Sequence, residues 1–257
     1  NGFESARRRA VSWPHCGDDG CNGIWPRPVR MSLPPSGTAM HRILAALLCL
    51  LPQFAFAVVA PSPQEVHPVL VGSAAPDAPL RTLDDQATTL HAQLAGKPTV
   101  LVFYRGGWCP YCNLQLSELR HLVPELARSG FQMIALSPDR PLELARTLDQ
   151  HKLEYTLLSD SSASAMQRYG IAFRVDDATA AKYADYGIDL AAASGESHQA
   201  LPVASVFVID AAGVIAFSYV NPDYRTRVPV RILRAAVEAV AAGETGDADL
   251  VYELSGD

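Results

Sequence analysis

What this chain of 257 residues has little of narrows its function quickly. No long lysine or arginine run occurs in its C-terminal two-thirds, and the formal net charge is −6. Neither nucleic acid nor an anionic membrane surface is indicated as a partner. The glycine spacing of a nucleotide-binding loop is absent, so no organic cofactor is expected. There is no internal repeat. The longest apolar run, Ile43 to Leu51, is too short and too soon broken by Pro52 to span a bilayer comfortably. Cysteine is scarce, with five in all, and this sets the argument.

Met40-His41-Arg42, the apolar run and Ala55-Phe56-Ala57 have the order of a secretory signal peptide, residues 40–57, with cleavage after Ala57. The alternative is an uncleaved anchor, the one route to a membrane. Leu48 before Cys49 argues against a lipidation site, which wants a small residue there. Residues 1–39 are rich in Pro, Gly and Arg, lack periodicity, and are read as a disordered upstream segment. Cys16 and Cys21 lie there at a spacing that matches no zinc pattern. Export and cleavage would leave Cys109 and Cys112 as the only thiols of the mature chain. One close pair in an exported protein is not a disulfide framework and points to chemistry.

The remaining organisation is a linker at 58–68, a domain at 69–242 and an acidic tail at 243–257. Leu80 to Leu94, with a turn at Asp84-Asp85-Gln86, predicts a hairpin. Strands are expected at Thr99 to Tyr104, Phe131 to Leu136, Tyr155 to Leu158, Ala204 to Asp210 and Val214 to Val220. Helices are expected from Pro110 towards Gly130, with a bend at Pro124, and at Pro141 to His151, Ser162 to Tyr169 and Val228 to Ala241. Ala-rich Val175 to Gln199 reads as a helical insertion before the C-terminal hairpin. The order predicts one α/β domain with a mixed central sheet flanked by helices.

The chemistry centres on V-L-V-F-Y-R-G-G-W-C-P-Y-C-N, Val100 to Asn113. A buried strand, a two-glycine turn, a C-x-x-C pair and a helix follow one another directly. With Pro110 at the first helical position, Cys109 falls at the N-cap, where free backbone N–H groups favour a thiolate. Cys112 lies one turn on, so Cys109 is the expected nucleophile and Cys112 the resolver. Gly106 and Gly107 are expected to let the backbone approach closely and leave the sulfur uncovered. Arg105 is either a charge for the thiolate or a solvated side chain. Trp108 is either a partner platform or packing, and Tyr111 is expected at the surface. A copper-carrier alternative uses the pair with a distant histidine, His198 the best candidate, but the histidines show no paired ligand spacing.

The segment from Phe103 to Leu116 resembles the peroxiredoxin-like branch of the AhpC/TSA family. Val71 to Leu80, Leu201 to Ile215 and Asn221 to Arg225 resemble it too. The resemblance implies a thioredoxin-like fold and thiol-dependent reduction of peroxides or disulfides, with an external thiol reductant as partner. Cys109 matches the peroxidatic cysteine. The sequence departs from the pattern at Val102 and Gly106, where typical relatives carry Pro and Thr/Ser. It departs again at Ala204, where an Arg or a cis-proline would stand; Pro202 is two residues upstream. Those absences shift weight towards an alternative, general thiol–disulfide exchange without significant peroxidase activity. Arg225 and Arg227 could replace the missing arginine, though a solvated loop is the plainer expectation.

Overall fold

In the computed structural model, residues 59–244 are described. The expectations for 1–39, 40–57 and the tail beyond Glu244 lie outside them. Nine strands and eight α-helices occur among the described residues. They are β1 (Pro79–Arg81), β2 (Ala87–Thr89), α1 (Leu90–Leu94), β3 (Thr99–Phe103), α2 (Pro110–Leu119) and α3 (Val123–Arg128). Next come β4 (Gln132–Ser137), α4 (Pro141–His151), β5 (Thr156–Ser159), α5 (Ser164–Arg168) and β6 (Ala172–Arg174). The chain ends with α6 (Asp177–Asp185), α7 (Leu190–Ser194), β7 (Ala200–Pro202), β8 (Ala204–Ile209), β9 (Ile215–Asn221) and α8 (Val230–Ala241).

The main sheet runs β2-β1-β5-β4-β3-β8-β9, with β3, β4 and β5 parallel and the other pairings antiparallel. This is the expected mixed sheet, and β3 is central because all five of its residues are apolar or buried. Period-two alternation divides its side chains between two cores. Leu101 and Phe103 face one side, with Phe207 of β8, Tyr169, and Leu90 and Leu94 of α1. Val100, Val102 and Tyr104 face the other, where α2 brings Cys112, Leu116 and Leu119 and α8 brings Leu233 and Val237. On the first side Phe103, Tyr169 and Phe207 form an aromatic trio with centroids 5.0, 5.9 and 5.0 Å apart, Phe207 meeting the other two edge-on. Each such pair contributes about 0.5–1.5 kcal/mol beyond its buried area.

Several expectations are modified. The hairpin ends at Thr89, whose hydroxyl caps α1 by accepting the Ala92 N–H at 3.2 Å, so Leu90 to Leu94 are helical. The helix after the cysteines is broken into α2, a 3-10 turn at Arg120–Leu122, and α3, because Pro124 lacks the N–H the continuing helix needs. The helix expected over Ser162 to Tyr169 is only α5. Its amides at Ala165 and Met166 donate to the Asp160 carboxylate at 2.8 Å each. A second sheet, β6 with β7, was not expected. It closes the base of the helical insertion that α6 and α7 form. The segment read as a linker is packed here: Ala60 donates to Ala172 O at 2.9 Å and accepts from Arg174 N at 2.8 Å.

Candidate active site

The site forms where β3 and β4 end, at the carboxyl edge of the parallel strands. The Tyr104 N–H still donates to Leu136 O at 3.0 Å, and the chain then turns through Arg105, Gly106 and Gly107. Both glycines are required. Gly106 has φ +151°, and an added Cβ would meet Trp108 Nε1 at 2.3 Å. At Gly107 a Cβ would meet Thr147 Oγ1 of α4 at 1.9 Å. The Gly107 peptide is held on both sides: its N–H donates to Asp139 Oδ2 and its carbonyl accepts from Asn113 Nδ2, each at 2.7 Å.

Cys109 is the N-cap of α2 and Pro110 its first residue, as expected. The Cys109 carbonyl accepts from the amides of Cys112 and Asn113 at 3.0 Å each. Both cysteines are free thiols. The expectation of an uncovered sulfur is corrected: Cys109 is only 2 % exposed and Cys112 is fully buried. The glycines do not bare the sulfur. They let the loop press onto α4 while Trp108 folds back over it.

The two thiols are pulled in opposite directions. Cys109 is lowered to about 6, first by the hydrogen bond from the Cys112 thiol, then by the Cys112 backbone N–H and the Arg105 and Arg227 charges, against the opposing effect of burial. Cys112 is raised well above the ordinary thiol value by burial and by its position as donor to Cys109. The N-terminal sulfur is the thiolate and the other holds the proton.

Arg105, left between two readings, is buried at 4 % exposure. Its guanidinium carbon lies 4.4 Å from the Tyr224 ring centroid and 5.4 Å from those of Trp108 and Tyr183, and it donates to the Tyr183 hydroxyl. Trp108 packs on Tyr183 at 5.7 Å, so packing is its role in this structure. Tyr111 is 42 % exposed and meets Tyr224 edge-on at 5.6 Å. Arg225 is exposed and forked onto Asp223, as a solvated loop would have it. Arg227 corrects that expectation. It turns inward, with Nη2 3.3 Å from the Cys112 sulfur and Nε and Nη1 buried without partners. Pro202 sits in β7 opposite Ala172 with a trans peptide bond, and Ala204 opens β8 opposite Asn221. The groups acting on the sulfurs are the two arginines, not these facing-strand positions. His198 has both ring nitrogens engaged: Nδ1 accepts the Ala200 N–H at 2.9 Å, which leaves Nε2 to donate to Ser161 O at 2.8 Å.

Asp139, Thr147 and Tyr183 went unrecognised in the sequence, whereas Arg227 was named there with a solvated loop as the plainer expectation. Asp139 had one signal, its place just after a buried strand, but Ser137-Pro138-Asp139 reads first as a turn. The Asp139 carboxyl is 1 % exposed and pushed up to about 7, chiefly by burial. Beside it a cavity of about 400 Å³ opens between Gly107, Trp108, α4 and the insertion, lined also by Arg146, Thr147 and Ile188.

The model of the AhpC/TSA family matches residues 71–218. The chain is similar to a putative peroxiredoxin, bcp, of Haemophilus influenzae, 30 % identical over 106 residues that cover 41 % of this chain and 68 % of that one. It is 28 % identical over the same length to peroxiredoxin Bcp of Escherichia coli, covering 41 % and 67 %. Its fold is similar to that of reduced Prx3 from Vibrio vulnificus, solved in complex with hydrogen peroxide. The TM-score is 0.54 at 18 % identity, over 66 % of this chain and 99 % of that one. The fold is thus the thioredoxin-like arrangement that the resemblance implied. With a thiolate-prone cysteine at the head of α2 and the family model matched from before β1 into β9, the chain belongs to the AhpC/TSA family and is a thiol-dependent oxidoreductase of the peroxiredoxin-like type.

Proposed function

We propose that Cys109 reduces a hydroperoxide and that Cys112 resolves the product. The Cys109 thiolate attacks the terminal peroxide oxygen, the O–O bond breaks, and the alkoxide or hydroxide leaves, taking a proton from solvent to become alcohol or water. Cys109 is then a sulfenic acid. Cys112 attacks that sulfur, forms the disulfide and releases water. An external thioredoxin-like dithiol returns two electrons and two protons. The observation that carries this reading is the opposed acidity of two thiols three residues apart, one lowered to about 6 and the other raised.

The Thr/Ser donor missing at Gly106 weighed against peroxide chemistry in the sequence. Two cations at the sulfurs, Arg105 and Arg227, offer a replacement, because preorganised positive charge stabilises the oxygen anion developing as the O–O bond breaks. The 2 % exposure of Cys109 also favours a small peroxide over a protein disulfide, which must bring its own sulfur and backbone to the thiolate. Purified reduced protein should consume hydroperoxide with a thiol donor, and Cys109→Ser should abolish this. Turnover no faster than that of a free thiol would overturn the proposal.

The signal-peptide pattern at 40–57 supports an exported, periplasmic location, where the pair would need a dedicated electron donor. Expression of the full chain in a Gram-negative host should give a periplasmic product beginning at Val58. A cytoplasmic product with residues 40–57 retained would rule this location out.

A further inference from the structure

The proposed cycle requires Cys112 to attack, yet its thiol is fully buried and held protonated. Burial is the first cause; the hydrogen bond it gives to Cys109 and the charge on Cys109 follow. Two of these causes belong to the Cys109 thiolate, and they end when peroxide converts that sulfur to an uncharged sulfenic acid. The groups that oppose them stay in place. Arg227 donates from Nη2 to the Cys112 sulfur at 3.3 Å, and its charge and the Arg105 backbone N–H both favour the Cys112 thiolate.

The Arg227 guanidinium has no other acceptor among the described residues: its Nε and Nη1 are buried without partners. A cation with buried, unpaired donors and one bond to a neutral thiol favours negative charge on that sulfur. The loop that carries it, between β9 and α8, is fixed on both sides. The Thr226 N–H donates to Asp223 O at 2.9 Å, and the Asp223 N–H donates to Asn221 Oδ1 at 3.0 Å. The next residue, Val228, is buried in the core that holds Cys112. The charge is therefore in position before the step begins.

We infer that Arg227 is a catalytic residue of the resolving step: its guanidinium, already bonded to the Cys112 sulfur, stabilises the Cys112 thiolate once oxidation has discharged Cys109. This rests on the assignment of Cys109 as attacker and Cys112 as resolver. The negative charge of the pair moves from one sulfur to the other. Cys109 carries it until peroxide has reacted, and Cys112 carries it afterwards, beside the same arginine. In the step, the Cys112 sulfur attacks the sulfenic sulfur, the S–S bond forms and the S–O bond breaks. The Cys112 thiol proton and the sulfenic hydroxyl leave together as water. No proton is gained or lost overall, and the oxidising equivalents are those of the peroxide already consumed.

Cys112 is faced by Cys109 from its own helix, by Arg227 from the loop before α8, and by Tyr104 and the Arg105 main chain from the end of β3. Of the other elements in that core, the segment before β5 brings Tyr155, whose hydroxyl donates to Leu116 O at 3.0 Å. On α8, Arg234 is paired with Glu125 of α3 at 2.8 Å. Burial raises the phenols of Tyr104 and Tyr155, so both stay protonated through the working range. Arg227 is the side-chain cation bonded to the Cys112 sulfur.

The first readout needs no peroxide. Cys109→Ser removes the charge of that sulfur as oxidation does, and the Cys112 thiolate is followed by ultraviolet absorbance against a Cys109→Ser/Cys112→Ser blank. Cys112 should titrate at lower pH in Cys109→Ser than in the wild type, and adding Arg227→Ala should move it back up. The second readout is single-turnover oxidation by hydrogen peroxide, with disulfide closure timed by quenching and mass spectrometry once the sulfenic acid has formed. Arg227→Ala should slow closure at pH 7 by about 10-fold or more and shift its rise to higher pH, with sulfenic acid accumulating. Arg227→Lys keeps the charge and should recover part of both readouts. Arg225→Ala lies in the same loop but is exposed and forked onto Asp223, so it should match the wild type. A Cys112 titration unmoved by Arg227→Ala overturns the inference, as does closure slowed equally by Arg225→Ala. Failure of the underlying assignment looks different: peroxide would then leave no sulfenic acid on Cys109 in Cys112→Ser, while the titrations would still separate.

Discussion

Arg227 donates from Nη2 to the Cys112 sulfur at 3.3 Å, across 115 residues of sequence. It reaches the resolving cysteine directly and acts on Cys109 only through its charge, which helps to lower that thiol. Arg227→Ala should therefore move the Cys109 titration to higher pH. Arg227→Lys should restore part of the shift, since a lysine supplies the charge without the planar fork. Thiol titration by absorbance at the thiolate band checks both, and an unmoved titration in the alanine variant would rule out the charge contribution.

The direction of the Cys109 shift gives a pH dependence. Its thiol lies below the ordinary value, so the reactive thiolate is lost as pH falls through about 6 and nearly complete above it. At pH 7 about 90 % of it should be ionised. Alkylation by a small iodoacetamide should show this midpoint at Cys109, with Cys112 unreactive across the same range because it is buried and raised. A single midpoint near the ordinary cysteine value would contradict the electrostatic account.

Gly107 is required by contact. Gly107→Ala drives a methyl onto Thr147 Oγ1 and should cost about 1–3 kcal/mol in denaturant unfolding. Adding Thr147→Ala removes the obstructing oxygen, whose hydroxyl donates to Glu143 O on its own helix at 3.0 Å. The double variant should recover much of the loss. Additive losses would place the strain elsewhere.

The ring of Trp108, Tyr183 and Tyr224 around Arg105 ties the helical insertion to the cysteine loop. Arg105→Lys keeps the charge but loses the flat stacking surface and the reach to Tyr183. It should destabilise the protein by about 1–2 kcal/mol in urea titration. It should also speed proteolytic cleavage within 177–194, the insertion that Tyr183 anchors. Unchanged cleavage there would mean the insertion is held by its other contacts.

The sequence alone determined the features whose causes are local. The apolar run of β3, the glycine turn, Pro110 at the first helical position and the three-residue cysteine spacing act within one strand and one helix turn. They place Cys109 at the N-cap and make it the thiolate. The mixed sheet was legible for the same reason, since its central strands are short continuous apolar runs bounded by turn residues. Only the tertiary structure decided which distant side chains meet that thiolate. Arg225 and Arg227 stand two residues apart in one polar loop, and no pattern says that the first forks onto Asp223 while the second turns to Cys112. Asp139 reads as a turn residue until the pairing of β3 with β4 sets it under Gly107. Burial of Cys109 needed the loop to fold against Thr147 and Tyr183, from helices far along the chain. The nucleophile is made by short-range backbone geometry; its charges and its cover come from strand register and packing between segments that only the fold brings together.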